Sequence, residues 1–296
     1  MRSQQSSLGQ TPRKWPKRAI VAGAGALTLL TSGCSMAEVK RGFLPASSEG
    51  ATNHTADITH LWNGGWAAAM MIGLVVWGLI IWCLVVYRRR KHETGLPAQL
   101  RYSMPIEAFY IAVPLIMVIV FYFFTVKTEN SVDKPYKHPD QVIQVYGKQW
   151  SWDFNYLTEN VYYSGVQVAL NGTTAPGKKV PTLYLPANKK IQIKLDSRDV
   201  VHSFWVPAFL QKRDIFPGRE SSIYLEPLKV GTYAGKCAEL CGEYHSEMLF
   251  NVKVVPEAQY QQYIQSLKKQ GNTGKLGPQY NRNPDLRTPK QEEAGS

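Results

Sequence analysis

The chain of 296 residues concentrates its softest metal-binding side chains in one stretch of twelve residues. Two thiols, Cys237 and Cys241, lie four residues apart, and an imidazole, His245, and a thioether, Met248, follow them. A second imidazole, His202, lies 35 residues before the first thiol. Two cysteines at this spacing also suit a disulfide outside the cytoplasm, and zinc would use the same thiols and imidazoles. The thioether favours copper, whose electron-transfer sites combine thiolate, imidazole and a weakly bound methionine sulfur.

The second thiol distinguishes two kinds of copper site. A mononuclear blue copper site takes one thiolate, so one of these two cysteines would be left over. If both thiolates bridge two copper ions, each ion keeps one imidazole, and Met248 and a main-chain carbonyl are the weak outer ligands. This spacing resembles the binuclear copper centre, CuA, of cytochrome c oxidase subunit II. The resemblance implies the following copper ligands: His202, Cys237, the backbone carbonyl of Glu239, Cys241, His245 and Met248.

The composition limits the other classes of function. The formal net charge is +12, but the basic residues are dispersed or lie beside apolar runs, without the basic and aromatic face typical of nucleic-acid binding. Basic clusters beside apolar runs instead predict a lipid bilayer as a partner and no nucleic acid. Of the four cysteines, Cys34 and Cys83 lie far from the soft cluster, so no larger disulfide framework is available.

The amino terminus has the pattern of a bacterial export signal. Four basic residues precede the apolar run 19–30, whose 12 residues are too few to span a bilayer. Small residues come before Cys34, as lipoprotein processing requires, so we predict a signal peptide over 1–33 and a lipid on Cys34. The alternative is an uncleaved anchor with a buried cysteine. Mass spectrometry that finds an intact Met1 or an unmodified Cys34 would contradict the lipoprotein interpretation.

Two longer apolar runs predict a transmembrane hairpin over 66–127. Residues 66–87 carry no charge and would form a helix about 33 Å long, and residues 108–126 form the second run. The short connection between them contains five basic residues, and connections of this kind remain in the cytoplasm. We therefore expect a protein of the bacterial cell membrane, with the segment 34–65 and everything after the hairpin on the extracytoplasmic side.

One carboxylate, Glu107, begins the second apolar run at membrane depth, where an acidic group needs water, a partner or a function. It lies seven residues before Pro114. This position resembles that of the subunit II glutamate at the mouth of the oxidase's K proton pathway, so the resemblance implies a role in proton uptake. The alternative is an interfacial glutamate that reaches the water around the lipid headgroups.

The hydrophobic period becomes two in the exported region. Apolar and polar residues alternate, as in 191–195, which predicts short half-buried strands in a sandwich or barrel. With copper ligands on the loops between strands, the region 128–256 resembles a cupredoxin sandwich. The expected fold class is therefore a membrane α-helical hairpin of two transmembrane helices followed by an all-β cupredoxin-like sandwich. A last helix is predicted over 257–271, and the polar remainder, 272–296, is predicted to be disordered.

Two tryptophans, Trp150 and Trp152, lie on the first aromatic strand of the exported region. Paired tryptophans on a strand are most often packing residues, and packing is the first interpretation for Trp152. The resemblance implies that Trp150 lies exposed above the copper centre and accepts electrons from cytochrome c. An indole in that position offers a flat apolar contact for a partner.

Three acidic residues near the ligands carry less specific predictions. The resemblance implies that the carboxylate of Glu239 reaches a Mg2+ ion shared with subunit I, since this hard ion prefers oxygen ligands; the alternative is a solvated loop glutamate. Asp199 is either a hydrogen-bonding partner of the ligands or an ordinary surface charge. Glu247 is predicted to be solvated.

The resemblance covers roughly residues 62–255 and implies subunit II of an aa3-type haem-copper cytochrome c oxidase. Such a subunit passes electrons from cytochrome c through CuA to haem a in subunit I, where O2 is reduced to water and protons are pumped. It assembles with subunit I and further oxidase subunits. Lysines spread over the exported region predict weak steering of a strongly basic partner, which favours a membrane-tethered or less basic cytochrome c donor.

Other classes of protein share parts of this pattern. A quinol oxidase subunit II has the hairpin and the sandwich but lacks the copper ligands. A nitrous oxide or nitric oxide reductase component would use the same copper pair. The two-helix anchor disfavours the former, and the haem composition of the purified complex would distinguish the latter. A membrane-tethered copper carrier would exchange copper readily and would not purify with haem.

Overall fold

The computed structural model describes residues 35–89, 95–96, 99, 101–168 and 180–282. The predicted signal peptide, the predicted lipid site at Cys34 and the end of the predicted tail, 283–296, lie outside the described residues. Part of the basic connection of the hairpin, residues 90–94, 97–98 and 100, lies outside them as well. These expectations therefore stay predictions.

Two long apolar helices follow a short amino-terminal helix. The helices are α1 (Met36–Lys40), α2 (Thr55–Val86) and α3 (Met104–Val132). Both α2 and α3 are long and apolar enough to cross a membrane, and the most apolar part of each is not buried within the chain. The two predicted spans are therefore confirmed as apolar helices, although α2 begins well before residue 66 and α3 continues beyond residue 126.

Within the described residues, ten strands form two five-stranded sheets. In chain order they are β1 (Gln141–Lys148), β2 (Ser151–Tyr156), β3 (Val161–Ser164), β4 (Thr182–Pro186), β5 (Ile191–Ser197), β6 (His202–Val206), β7 (Gln211–Ile215), β8 (Ser221–Leu225), β9 (Gly231–Cys237) and β10 (Leu249–Val255). One sheet has the order β3-β2-β1-β5-β8 and the other the order β4-β10-β9-β6-β7. Only the β1–β5 and β4–β10 pairs are parallel among these described strands. The predicted β-sandwich is confirmed.

The core lies between the two sheets and is rich in aromatic side chains. Trp152 and Phe154 from β2 meet Phe204 from β6 and Phe250 from β10. Their apolar surfaces are withdrawn from water, which is the main favourable contribution to folding of such a domain. A rigid pair of sheets results, and it can hold loops at its ends in fixed positions.

Strand direction brings four chain segments to one end of the sandwich. Because β6 and β10 both run antiparallel to β9, the starts of β6 and β10 lie beside the end of β9. The turn between β1 and β2 reaches the same end, where Gly147 lies directly against the ring of His202. A Cβ atom at Gly147 would come within 2.8 Å of that ring, so this close approach requires glycine.

The polar face of β2 and the segment after the last helix differ from the sequence predictions. Helix α4 (Glu257–Lys269) lies where a last helix was predicted. Residues 272–282, named here the C-terminal strap, are not disordered as predicted but lie along β2 and β3, with a backbone bridge between Val161 and Thr273. As a result, Asp153 and Asn155 of β2 are buried although the alternation predicts a solvated face.

Candidate metal centre

The structure brings the six predicted ligands together at the shared end of β6, β9 and β10. The sulfur atoms of Cys237 and Cys241 lie 3.9 Å apart. Each sulfur has its own imidazole, with Nδ1 of His202 at 3.9 Å from Cys237 and Nδ1 of His245 at 3.5 Å from Cys241. The arrangement is therefore paired, with one imidazole for each thiol.

The two weak ligands predicted from the sequence each lie close to a different sulfur of the thiol pair. The Met248 sulfur is 3.7 Å from the sulfur of Cys241, and the carbonyl oxygen of Glu239 is 3.2 Å from that of Cys237. Met248 is fully buried, whereas the side chain of Glu239 is exposed. The Glu239 carbonyl can thus face the cluster while its carboxylate remains free for another contact.

The loop between β9 and β10 folds back because of a glycine and a short turn. Gly242 has φ +125°, a conformation that residues with a Cβ atom rarely adopt. A 3-10 turn over His245–Glu247 follows and returns the chain to the end of β9. The backbone N–H of Cys237 then donates to the carbonyl of Met248 at 3.0 Å, which closes the loop around the thiols.

Asp199 fixes the orientation of His202. Its carboxylate accepts a hydrogen bond from Nε2 of His202 at 2.8 Å, so Nδ1 keeps its lone pair for the cluster. Burial alone would raise the pKa of Asp199, but hydrogen bonds from His202 and from the backbone N–H groups of Gln149 and Val200 lower it overall. Of the two interpretations of Asp199, the hydrogen-bonding partner is the one observed.

The two thiols share one negative charge when no cation is present. The hydrogen bond between them, with help from His202, outweighs the effect of burial and lowers the pKa of Cys237 to about 3. The same bond, burial and the charge on Cys237 raise the pKa of Cys241 above its ordinary value. Two adjacent thiolates therefore need positive charge beside them, and metal binding at such a site releases a proton.

The distances fit a metal site to which both sulfurs contribute. The sulfurs are farther apart than the roughly 2.05 Å of a disulfide, so the thiols are free and the disulfide alternative is wrong for this structure. An ion at about 2.3 Å from each sulfur fits on either side of the line that joins them, since twice that length exceeds 3.9 Å. Within the described residues, one group of three His, Cys, Asp or Glu side chains has its ligand atoms within 4.8 Å of one another, and it consists of His202, Cys237 and Cys241.

Trp150 lies over the ligand loop and remains partly exposed. Its indole packs edge-to-face on Tyr244, with ring centroids 4.8 Å apart, and its Nε1 donates to the carbonyl of Cys241 at 3.3 Å. Gln149 donates to the same carbonyl at 2.8 Å. Trp152 is fully buried as predicted, and its Nε1 donates to the carbonyl of Met248.

Several contacts of the site were not predicted from the sequence. Tyr244 and Gln149 stand beside recognised motif residues, but no residue pattern marks them as contacts of Trp150 and Cys241. Glu247 is buried and accepts a hydrogen bond from Gln167, so its predicted solvation is wrong. The close approach of Gly147 to His202 has one visible signal, a glycine inside a strand.

The carboxylate of Glu107 has a local partner at the start of α3. Its Oε1 accepts a hydrogen bond from the backbone N–H of Ser103 at 3.1 Å. The side chain is half-buried within the chain and lies at the end of α3 opposite the sandwich. The structure thus places Glu107 apart from the metal cluster.

The fold and the site together fit a membrane-anchored protein whose cupredoxin-like sandwich carries a copper site. Residues 141–255 match the family described as cytochrome c oxidase subunit II, periplasmic domain. A probable cytochrome c oxidase subunit 2 of Streptomyces avermitilis is 40% identical, over 90% of this chain and 92% of its own length. The chain belongs to the cytochrome c oxidase subunit II family.

Two further similar proteins are a mycobacterial relative and a solved bacterial domain. Cytochrome c oxidase subunit 2 of Mycobacterium tuberculosis is 32% identical, over 88% of this chain and 84% of its own length. The crystal structure of the periplasmic domain of cytochrome oxidase subunit II from Bradyrhizobium japonicum is also similar. The match covers 45% of this chain and 96% of that domain. Its sequence is 29% identical, with a TM-score of 0.41.

Proposed function

We propose that this chain is the electron-accepting subunit of an aa3-type haem-copper cytochrome c oxidase. In this proposal it holds a binuclear CuA centre on the extracytoplasmic side of a bacterial cell membrane and passes electrons to haem a in subunit I. The observation that carries the proposal is the pair of free thiols 3.9 Å apart, each with its own imidazole. Such a set suits two ions rather than one.

The residues of the chain supply a buried and stiff set of donors. A copper pair bound here would take up and release one electron at a time. His202, Met248 and the two cysteines are buried, so water has little access to them, whereas His245 is partly exposed. His202 begins β6, Cys237 ends β9 and Met248 directly precedes β10, so the paired strands limit how far these donors move when charge changes.

The proposed electron port is Trp150. Its partly exposed indole contacts the ligand loop through the Cys241 carbonyl, which gives a cytochrome c donor a short path to a ligand residue. The exposed carboxylate of Glu239 would bind Mg2+ at the boundary with subunit I. These two roles rest on the family resemblance together with exposure, whereas the proposed membrane-tethered or less basic donor rests on the lysines spread over the exported region.

The proposed copper pair is tested by electron paramagnetic resonance of the full chain in detergent after copper loading. We expect two copper ions per chain and an unpaired electron whose hyperfine pattern shows coupling to two copper nuclei. A spin coupled to a single copper nucleus would contradict the proposal. Rapid loss of copper to a mild chelator, with no haem in the purified complex, would favour a copper carrier instead.

Replacement of Glu107 by glutamine tests the proposed proton-uptake role. The glutamine carbonyl can still accept the hydrogen bond from Ser103, so the start of α3 is retained while the ionisable group is lost. In the purified oxidase complex we expect haem reduction to slow by at least about 10-fold, because positioned acid–base groups commonly contribute more than this. Stopped-flow spectroscopy measures the rate. Glu129→Gln, an exposed change near the other end of α3, is the control, and unchanged turnover in Glu107→Gln would contradict the role.

A further inference from the structure

A buried arginine, Arg198, binds the C-terminal strap. Only 4% of its surface is exposed, and its guanidinium lies 4.0 Å from the centre of the Tyr146 ring. Two of its nitrogens donate to strap carbonyls, Nη2 to Leu276 at 3.2 Å and Nη1 to Gly277 at 3.0 Å. Nη1 also donates to the side-chain oxygen of Asn281 at 3.1 Å. The strap thus supplies three of the acceptors of this buried cation.

The third guanidinium nitrogen, Nε, connects Arg198 through a charge network to the turn that carries the proposed electron port. Nε of Arg198 donates to Asp153 at 2.6 Å. The other carboxylate oxygen of Asp153 accepts from Lys148 at 2.6 Å, and Lys148 is the last residue of β1. The next two residues, Gln149 and Trp150, both donate to the carbonyl of Cys241. Lys148, the last residue of this charge network, therefore directly precedes Gln149, which contacts the loop that carries Cys241.

The backbone of Arg198 connects the strap to the side of the cluster that contains His202. Its N–H donates to the carbonyl of Gly147 at 2.9 Å, and its carbonyl accepts from the backbone N–H of Arg282 at 2.7 Å. The following residue is Asp199, whose carboxylate orients His202. The strap thus fixes the peptide that immediately precedes this carboxylate.

The strap also covers β2, and this cover keeps the hydrogen bonds of Arg198 and Asp153 in place. Asn155 exchanges two hydrogen bonds with the backbone of Leu276, at 2.9 and 3.0 Å. Without the strap, Asn155 and the guanidinium would lose their hydrogen-bond acceptors. If they stayed buried, their donors would be unpaired, and this costs free energy, above all for a charged group. The expected response is local rearrangement of Arg198 toward water, and its neighbours would move with it.

We propose that Arg198 is a positioning residue through which the C-terminal strap holds both sides of the metal cluster. One branch runs through Asp199 to His202, and the other runs through Asp153 and Lys148 to the turn that contacts Cys241. The strap lies beyond the region 141–255 that matches the family model. The inference rests on the proposed copper function for its effect on copper, but not for its effect on the loops.

Two truncations of the full chain separate the strap from the rest of the tail. A chain ending at Gly274 loses the residues that contact Arg198 but keeps α4 and the bridge between Val161 and Thr273. A chain ending at Arg282 keeps the whole strap and serves as the matched control. Arg198→Gln provides a second test in case the shorter chain folds poorly, and Arg198→Lys should rescue in part because it keeps a cation beside Asp153.

The first measurement is hydrogen exchange by mass spectrometry on the metal-free full chain in detergent. In the chain ending at Gly274 and in Arg198→Gln, we expect faster exchange in peptides that cover 147–151 and 198–204, and unchanged exchange in β4 and β10. The control truncation should match the natural chain. Equal exchange in all four chains would overturn the inference, and this outcome does not depend on whether copper binds.

The second measurement is the rate at which copper passes from the loaded chain to a chelator. We expect the release rate to rise by at least about 10-fold when the strap is removed. The reason is that loss of a group that holds a metal ligand typically lowers metal affinity by about 10–100-fold. The copper hyperfine pattern should change as well. A chain that loses thermal stability but keeps the same copper release rate and spectrum would reduce the strap to a purely structural element. Failure of the natural chain to bind two copper ions would instead contradict the proposed function.

Discussion

Replacing Cys241 by serine in the full chain is expected to abolish the two-copper centre. Cys241 lies at the middle of the cluster, within 3.9 Å of the donor atoms of Cys237, His245 and Met248. A serine hydroxyl is not ionised near neutral pH and is a much harder donor than thiolate, so it cannot bridge two copper ions in the same way. We expect at most one copper per chain, loss of the spin shared between two nuclei, and at least about a 100-fold fall in cytochrome c oxidation, beyond the range seen when only a supporting group is lost.

Two controls show whether the loss follows from bridging. Cys83→Ser makes the same chemical change on the exposed surface of α2, and it should leave copper content and spectrum unchanged. Met248→Leu removes only a weak outer ligand and should retain two copper ions with an altered spectrum. Retention of two ions and a shared spin in Cys241→Ser would contradict the bridging role. Copper content by elemental analysis and electron paramagnetic resonance make the comparison.

The ligand set could be predicted from the sequence because its chemistry is local. Cys237, Cys241, His245 and Met248 fall within one short loop, so residue type and spacing alone indicate a soft metal site. His202 is distant in sequence, and only the resemblance to the CuA ligand set identifies it as the second imidazole. The antiparallel pairing of β6 and β9 supplies the physical reason why it meets the thiols.

The contacts that orient the ligands could not be predicted in the same way. The alternation in β2 indicates that Trp152 and Phe154 face the core, but it does not show whether another segment covers Asp153 and Asn155. The strap that covers them is polar and contains glycine and proline, so its composition suggested disorder. It is held instead by backbone carbonyls that pair with the buried Arg198, and such pairing leaves no periodic pattern in a sequence.

Replacing Trp150 by alanine is expected to slow electron uptake from cytochrome c without loss of copper. Truncation of a central interface tryptophan typically costs 2 kcal/mol or more, so we expect at least about a 30-fold fall in kcat/KM for cytochrome c. Copper content should remain intact because Gln149 still donates to the Cys241 carbonyl and no ligand atom is changed. Trp205→Ala is the control, since Trp205 is a partly exposed tryptophan of β6 that packs under Lys236.

The choice of electron donor separates a port from a packing residue. A small chemical reductant reaches the site without docking, so its reduction rate in Trp150→Ala should stay close to that of the natural chain, while the rate with cytochrome c falls. If both rates fall together, or if copper is lost, Trp150 supports the ligand loop through Tyr244 and Cys241 and is not the port. If neither rate changes, electrons reach the cluster elsewhere on the surface of the ligand loop. Trp150→Phe keeps an aromatic face but loses the hydrogen bond to Cys241, and it therefore shows whether contact area or that bond carries the effect.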